Sequence, residues 1–202
     1  FDKFIVRINN RKILNALTKY AGVENKSLDV LRIVDKLDKI GVKGVERELA
    51  ELKISKSSIK KILNFIQLQI ISECRKILGK DAEEGIAELE ELSGYLRKMK
   101  VEPKFKIDFS LARGLDYYTG PIFEVFAGEG IGSIAGGGRY DKMIGIFSGR
   151  ELPATGISLG IARIIEVMQE RNMISQKKSK TKVFGIGVDE SGRENVLEIV
   201  QK

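Results

Sequence analysis

Residues 113–120, Arg113-Gly114-Leu115-Asp116-Tyr117-Tyr118-Thr119-Gly120, with Phe123-Glu124 close behind, carry the densest chemistry of the chain. Ahead of them Phe105, Ile107, Phe109 and Leu111 alternate along Lys104–Ala112, which predicts a strand ending beside Arg113. Pro121–Ala127 is a second apolar run of strand type. Between the two, glycines flank a carboxylate and two phenols. A guanidinium stays charged and meets phosphate or carboxylate oxygens through its planar fork. The tyrosines offer ring faces and hydroxyls to a planar polar ligand. The same residues equally suit an ordinary surface turn with aromatic packing.

Moving toward the C-terminus, residues 128–160 hold 10 of the 21 glycines and short β-prone runs at Gly132–Ala135 and Thr155–Leu159. Gly136-Gly137-Gly138-Arg139-Tyr140-Asp141 would let a ligand lie against bare backbone, although a bend in a sheet accounts for it as well. Gly156-Ile157-Ser158-Leu159-Gly160-Ile161-Ala162-Arg163 reads as a strand entering a helix over Ile161–Arg171. Arg163 near that helix start could reach a phosphate, or could be a plain surface arginine. No P-loop pattern occurs. Gly130-x-Gly132-x-x-Ala135 lacks the following helix that a dinucleotide-binding turn requires. Short strands separated by glycine, not alternating with helices, predict an antiparallel sheet. Gln176–Lys182 reads as a linker, Val183–Val188 as a strand and Glu194–Val200 as a helix.

Toward the N-terminus, Phe4–Asn10 reads as a strand ending in an Asn-Asn turn, and from there to about Met99 the pattern is helical. Ser27 is expected to cap a helix that leaves at Gly41. Ser58 is expected to open a long one through Ile59, Ile62, Leu63, Ile66 and Ile70, with Gly79 near its end. Asp81 and Glu84 resemble a capping box ahead of the stripe Ile86, Leu89, Leu92, Leu96. The fold class is therefore α+β: part of an antiparallel sheet with helices, plus an all-helical block.

Composition narrows the chemistry. With 202 residues, 43% hydrophobic and 31% charged, the chain can build a packed core. It contains no histidine, which excludes histidine-based acid–base catalysis and the usual zinc sites; no metal site is expected. Cys74, the one cysteine, fits a reducing, cytoplasmic setting. No apolar stretch reaches membrane-span length and no leader opens the chain, so no membrane partner is expected. The start at Phe1 instead of Met suggests a fragment. Residues 1–76 hold 17 Lys and Arg against 9 Asp and Glu, a balance of +8 within a whole-chain charge of +7. Such a field attracts polyanions, or marks solvated helix faces.

Taken in order, the arginine–tyrosine–tyrosine group, the glycine-rich strand and the arginine-bearing helix resemble the C-terminal half of a class II histidyl-tRNA synthetase catalytic domain. Arg113–Gly120 resembles that family's first histidine-binding signature, Ala135–Asp141 its second, and Ala154–Arg163 class II motif 3. Arg7–Leu14 resembles the stretch after motif 2, and Val183–Val200 the opening of the anticodon-binding domain. The resemblance implies catalytic core at 1–14 and 103–174, an inserted helical domain at 15–102, a linker at 175–182 and a truncated anticodon-binding domain at 183–202.

It further implies that Arg113 is the catalytic arginine near the α-phosphate and that Arg163 contacts ATP. Tyr117 and Tyr118 would line the histidine pocket, where a phenol and a carboxylate can read both imidazole nitrogens. Gly136, Gly137 and Gly138 would leave room for the amino acid and its adenylate. The substrates implied are histidine, ATP with its Mg2+ (no protein ligand assigned) and tRNA(His), in a protein that is a homodimer at full length. Ala162 replaces a glutamate common before the motif 3 arginine, and motifs 1 and 2 are absent. Two other readings compete: a synthetase-like regulatory subunit of ATP phosphoribosyltransferase, and a non-catalytic nucleic-acid-binding module.

Overall fold

Asn10 is the last residue of strand β1 (Ile5–Asn10) and the cap of helix α1 (Arg11–Tyr20). Its side chain accepts a hydrogen bond from the Lys12 amide at 2.9 Å, so strand passes into helix without the turn expected at Asn9-Asn10. Burial holds it there: its Nδ2 donates to Gly85 O and to Glu88 Oε2. In this computed structural model the described residues are 3–101, 104–113, 117–127, 130–150, 152–174 and 184–201. The chain divides into two units, Phe1–Val167 and Met168–Lys202.

In the first unit α1 is followed by α2 (Ser27–Val34), α3 (Leu37–Glu51), α4 (Lys56–Ile66), α5 (Ile71–Leu78) and α6 (Glu83–Lys98). Several caps differ from expectation. Ser27 does not cap α2, of which it is the first residue; its hydroxyl meets that of Thr18 at 3.1 Å. Ser55, not Ser58, caps α4, because its side chain accepts from the Ser58 amide. Gly41 does break the helical run, its φ of 66° and ψ of 175° dividing α3 in two, but the helix that starts at Ser27 has already ended at Val34. The expected long helix is two, broken at residues 67–70, and Ile70 is 54% exposed instead of continuing the stripe. Gly79 does terminate α5, at a φ of 57° that a side chain rarely adopts. Asp81 forms no capping box: Ala82 stands at that position, and the Asp81 carboxylate pairs with Lys19 at 2.7 Å.

Five strands form one sheet in the order β2-β1-β3-β4-β5, with β2 (Phe105–Ile107), β3 (Pro121–Phe126), β4 (Ser133–Arg139) and β5 (Thr155–Leu159). Three neighbouring pairs are antiparallel, as expected. β1 and β2 are parallel, which is possible because the helical block supplies the long crossover between them. The strand expected over Lys104–Ala112 stops at Ile107. Asp108 ends it by accepting from the amide and hydroxyl of Ser110, an aspartate-built turn, while Phe109, Leu111 and Ala112 remain buried beyond it. α7 (Asp141–Ser148) and α8 (Ile161–Glu170) follow.

One core runs from helices to sheet, joining Leu14, Leu17, Leu49, Ile62, Ile86 and Leu89 to Ile8, Phe109, Leu111, Tyr118 and Ile122. In the second unit α9 (Glu190–Gln201) starts earlier than expected. Residues 184–188 form no strand; Val183 and the predicted linker lie outside the described residues.

Phe65 of α4 and Phe109 of the turn after β2 are both fully buried, with ring centroids 5.3 Å apart and planes tilted by 52°. Phe65→Ala should cost about 3–5 kcal/mol in urea unfolding. Ile70→Ala, at an exposed position in the break, should change stability by no more than about 0.5 kcal/mol.

Candidate functional site

Strand register decides which side chains share a face. Arg7, Glu124, Gly136 and Ser158 stand opposite one another across β1, β3, β4 and β5, and Asn9, Ile122, Gly138 and Gly156 form the next row. Arg113 reaches this face. Its Nη2 donates to Glu124 Oε1 at 2.7 Å and to Ser133 Oγ at 3.4 Å. The guanidinium lies directly over Gly136, where an added Cβ would stand 2.5 Å from Cζ. Arg163, from the first turn of α8, donates Nη1 to the Ser133 carbonyl at 2.7 Å. The two arginines therefore converge on one residue, the buried Ser133. Arg113 Nε is buried without a hydrogen-bond partner among the described residues.

The phenols gather beside them. Tyr118 is buried over Gly138, where a Cβ would sit 2.8 Å from its ring and 2.7 Å from the Pro121 carbonyl. Tyr117 is 37% exposed, stacks obliquely on Tyr118 at 4.7 Å and meets the edge of Tyr140 at 5.7 Å. The Tyr140 hydroxyl presses on Gly156. Gly137 abuts the Gly156 carbonyl of β5. The expectation that the triple glycine leaves space for a ligand is thus modified: the space over Gly136 and Gly138 is filled by Arg113 and Tyr118 of the chain itself. The carboxylate of the signature, Asp116, lies with Gly114 and Leu115 outside the described residues.

Burial pushes the Tyr118 hydroxyl up to about 12, with a hydrogen bond to Tyr117 adding to it and the Arg113 charge opposing. Asp35, the cap at the end of α2, is pushed above the usual carboxylate range by loss of hydration and then by Glu124, against the pull of Arg113. The helical block therefore brings a carboxyl into the electrostatic reach of this face. Arg139 belongs to the opposite row; it pairs with Asp141 at 2.8 Å, and that carboxylate also accepts the Ala154 amide.

Glu124 and Tyr140 enter the sequence reading only as members of their groups, with no individual role, and Ser133 and Asp35 with none at all. Glu124 was legible in principle, since alternation along β3 sets it on the face of the glycines. Ser133 acts through geometry that no spacing encodes. Among the described residues, no group of three or more Cys, Asp or Glu is arranged to hold a metal.

The mostly antiparallel sheet thus brings an arginine pair and a phenol cluster together around Ser133 and the triple glycine. The fold matches the crystal structure of histidyl-tRNA synthetase from Nostoc sp. PCC 7120 with a TM-score of 0.78 and 29% identity, over 98% of this chain and 50% of that one. The family described as Histidyl-tRNA synthetase matches residues 1–164. This chain belongs to the histidyl-tRNA synthetase family. It is 39% identical over 191 residues to the histidine--tRNA ligase of Clostridium tetani, covering 90% of this chain and 43% of that protein. It is 40% identical over 195 residues to that of Korarchaeum cryptofilum, covering 93% and 45%. The chain thus spans less than half the length of these curated relatives. A Bacillus halodurans structure titled ATP phosphoribosyltransferase regulatory subunit/histidyl-tRNA synthetase, 24% identical with a TM-score of 0.68 over 82% of this chain and 44% of that one, shares the fold.

The neutral Tyr118 phenol favours the folded state. Its folded pKa lies above the value near 10 of a free tyrosine, so the stability it adds is whole below about pH 10 and lost as pH rises through about 12. In a spectrophotometric titration of the five tyrosines, Tyr118→Phe should remove a phenol that ionises late.

Proposed function

We propose that this chain is the C-terminal half of the catalytic domain of a histidine--tRNA ligase, carrying a helical insertion at 15–102 and the beginning of an anticodon-binding domain at 183–202. The complete protein activates histidine with ATP and transfers it to tRNA(His). The single observation that carries this reading is the meeting of Arg113 and Arg163 at Ser133, beside the Tyr117–Tyr118 pair.

Activation is an in-line attack of the histidine carboxylate on the α-phosphorus of ATP. A bond forms from carboxylate oxygen to phosphorus, the bond to the bridging oxygen breaks, and pyrophosphate leaves with its electron pair. Negative charge builds on the α-phosphoryl oxygens, so a cation already fixed there stabilises the transition state more than the ground state. Arg113 suits that task because Glu124 and the bare backbone of Gly136 hold it before substrate arrives. Arg163 binds ATP, Tyr117 and Tyr118 line the histidine pocket, and the triple glycine forms its floor, Gly136 seating Arg113, Gly138 seating Tyr118, and Gly137 lying between them against the Gly156 carbonyl. Mg2+ accompanies ATP with no ligand assigned to this chain. The full protein works as a cytoplasmic homodimer, and little or no aminoacylation is expected from these residues alone, which carry no motif 2 arginine.

Replacing Arg113 by Ala in the complete protein should lower kcat of histidine-dependent ATP–pyrophosphate exchange about 100- to 1,000-fold. Unchanged exchange would refute the assignment. Calorimetric titration separates the competing readings: a synthetase binds both histidine and ATP, a regulatory subunit histidine alone, a nucleic-acid-binding module neither. The +8 charge of residues 1–76 is proposed to face the tRNA acceptor arm. Binding of tRNA should then weaken steeply as salt is raised, with a log–log slope close to the number of phosphates neutralised. Salt-independent binding would assign those charges to solvated surface.

A further inference from the structure

Arg113 follows an arch, residues 108–112, that leaves the sheet after β2 and returns to the site face. The arch has little regular structure of its own: its amides engage Ile8 O at Asp108 and Asp108 O at Leu111. What fixes it is β1. The fully buried Asn9 donates Nδ2 to two arch carbonyls, Leu111 O at 2.9 Å and Phe109 O at 3.3 Å, while its Oδ1 accepts the Asn10 amide at 2.8 Å. One side chain therefore grips both ends of a three-residue span whose last member is two residues from Arg113.

Arg7, on the same face of β1, flanks the start of the arch. Its Nε lies 3.5 Å from Asp108 Oδ2, its Nη1 donates to Asp38 of α3 at 2.6 Å, and its guanidinium covers the Phe126 ring at 4.2 Å. Asp108 in turn shapes the arch through Ser110. The guanidinium of Arg113 must be placed to a fraction of an ångström to serve a developing charge, and an amide clamp on the preceding carbonyls sets its origin.

We propose that Asn9 is a positioning residue for Arg113: it acts on catalysis only through the arch, with Arg7 and Asp108 bracing the same segment. The proposal rests on the reading of Arg113 as the catalytic arginine.

The test is a double-mutant cycle on the complete protein, reading histidine-dependent ATP–pyrophosphate exchange, with folding checked by circular dichroism. Asn9→Ala should lower kcat about 10- to 100-fold while KM for ATP stays within about threefold. In an Arg113→Ala background the same substitution should cost no more than about threefold, because the group it positions is gone. An equal cost in both backgrounds overturns the proposal. Should Asn9→Ala not fold, Asp108→Ala replaces it in the same cycle, with the same non-additivity expected and additivity again refuting. If Arg113→Ala alone leaves exchange unchanged, it is the catalytic reading of Arg113 that fails, a result read from the single variant independently of the cycle.

Discussion

An arginine cannot lie flat on a β-sheet unless the strand beneath it lacks a side chain. The seating of Arg113, Tyr118 and Tyr140 on the site face follows from that steric constraint. Gly136 removes the Cβ that would stand 2.5 Å from the Arg113 Cζ, and Glu124 on the neighbouring strand supplies the carboxylate that draws the guanidinium down. The next row repeats the device: Gly138 admits Tyr118, and Gly156 admits the Tyr140 hydroxyl. Cationic and aromatic groups are thereby set side by side on a nearly smooth backbone. The charge pattern of the face is therefore set by folding.

The same contacts explain why the helices belong to the site and are more than an appended block. The core is continuous from α1 and α4 to the arch, and Phe65 stacks on Phe109 two residues before Leu111. Asp38 takes the Arg7 guanidinium, and Asp35 feels both Glu124 and Arg113. Helical residues thus bear on the site face through packing and through charge.

Much of this was readable beforehand. Alternation and glycine content disclosed β1, β3 and β5, and the order of Arg113, Tyr117–Tyr118, the triple glycine and Arg163 disclosed the family. Errors clustered where tertiary structure outweighs local pattern. Phe109, Leu111 and Ala112 alternate as a strand would, yet an aspartate turn carries them into the core. Ile70 fits a helical stripe, yet the chain breaks there and leaves it in solvent. The triple glycine shows in sequence that space exists on the sheet, but not that Arg113 and Tyr118 lie over Gly136 and Gly138. Ser133 acquires its role only from the tertiary approach of Arg113 and Arg163.

The parallel pairing of β1 with β2 has a mechanical consequence. The polypeptide departs into its helices after Asn10 and rejoins opposite Val6, four residues back along the same strand, or about 13 Å away. Two moorings so spaced, on one rigid rod, deny the helices a free hinge: swinging them about either attachment would tear the β1–β2 ladder or strain the arch that bears Arg113.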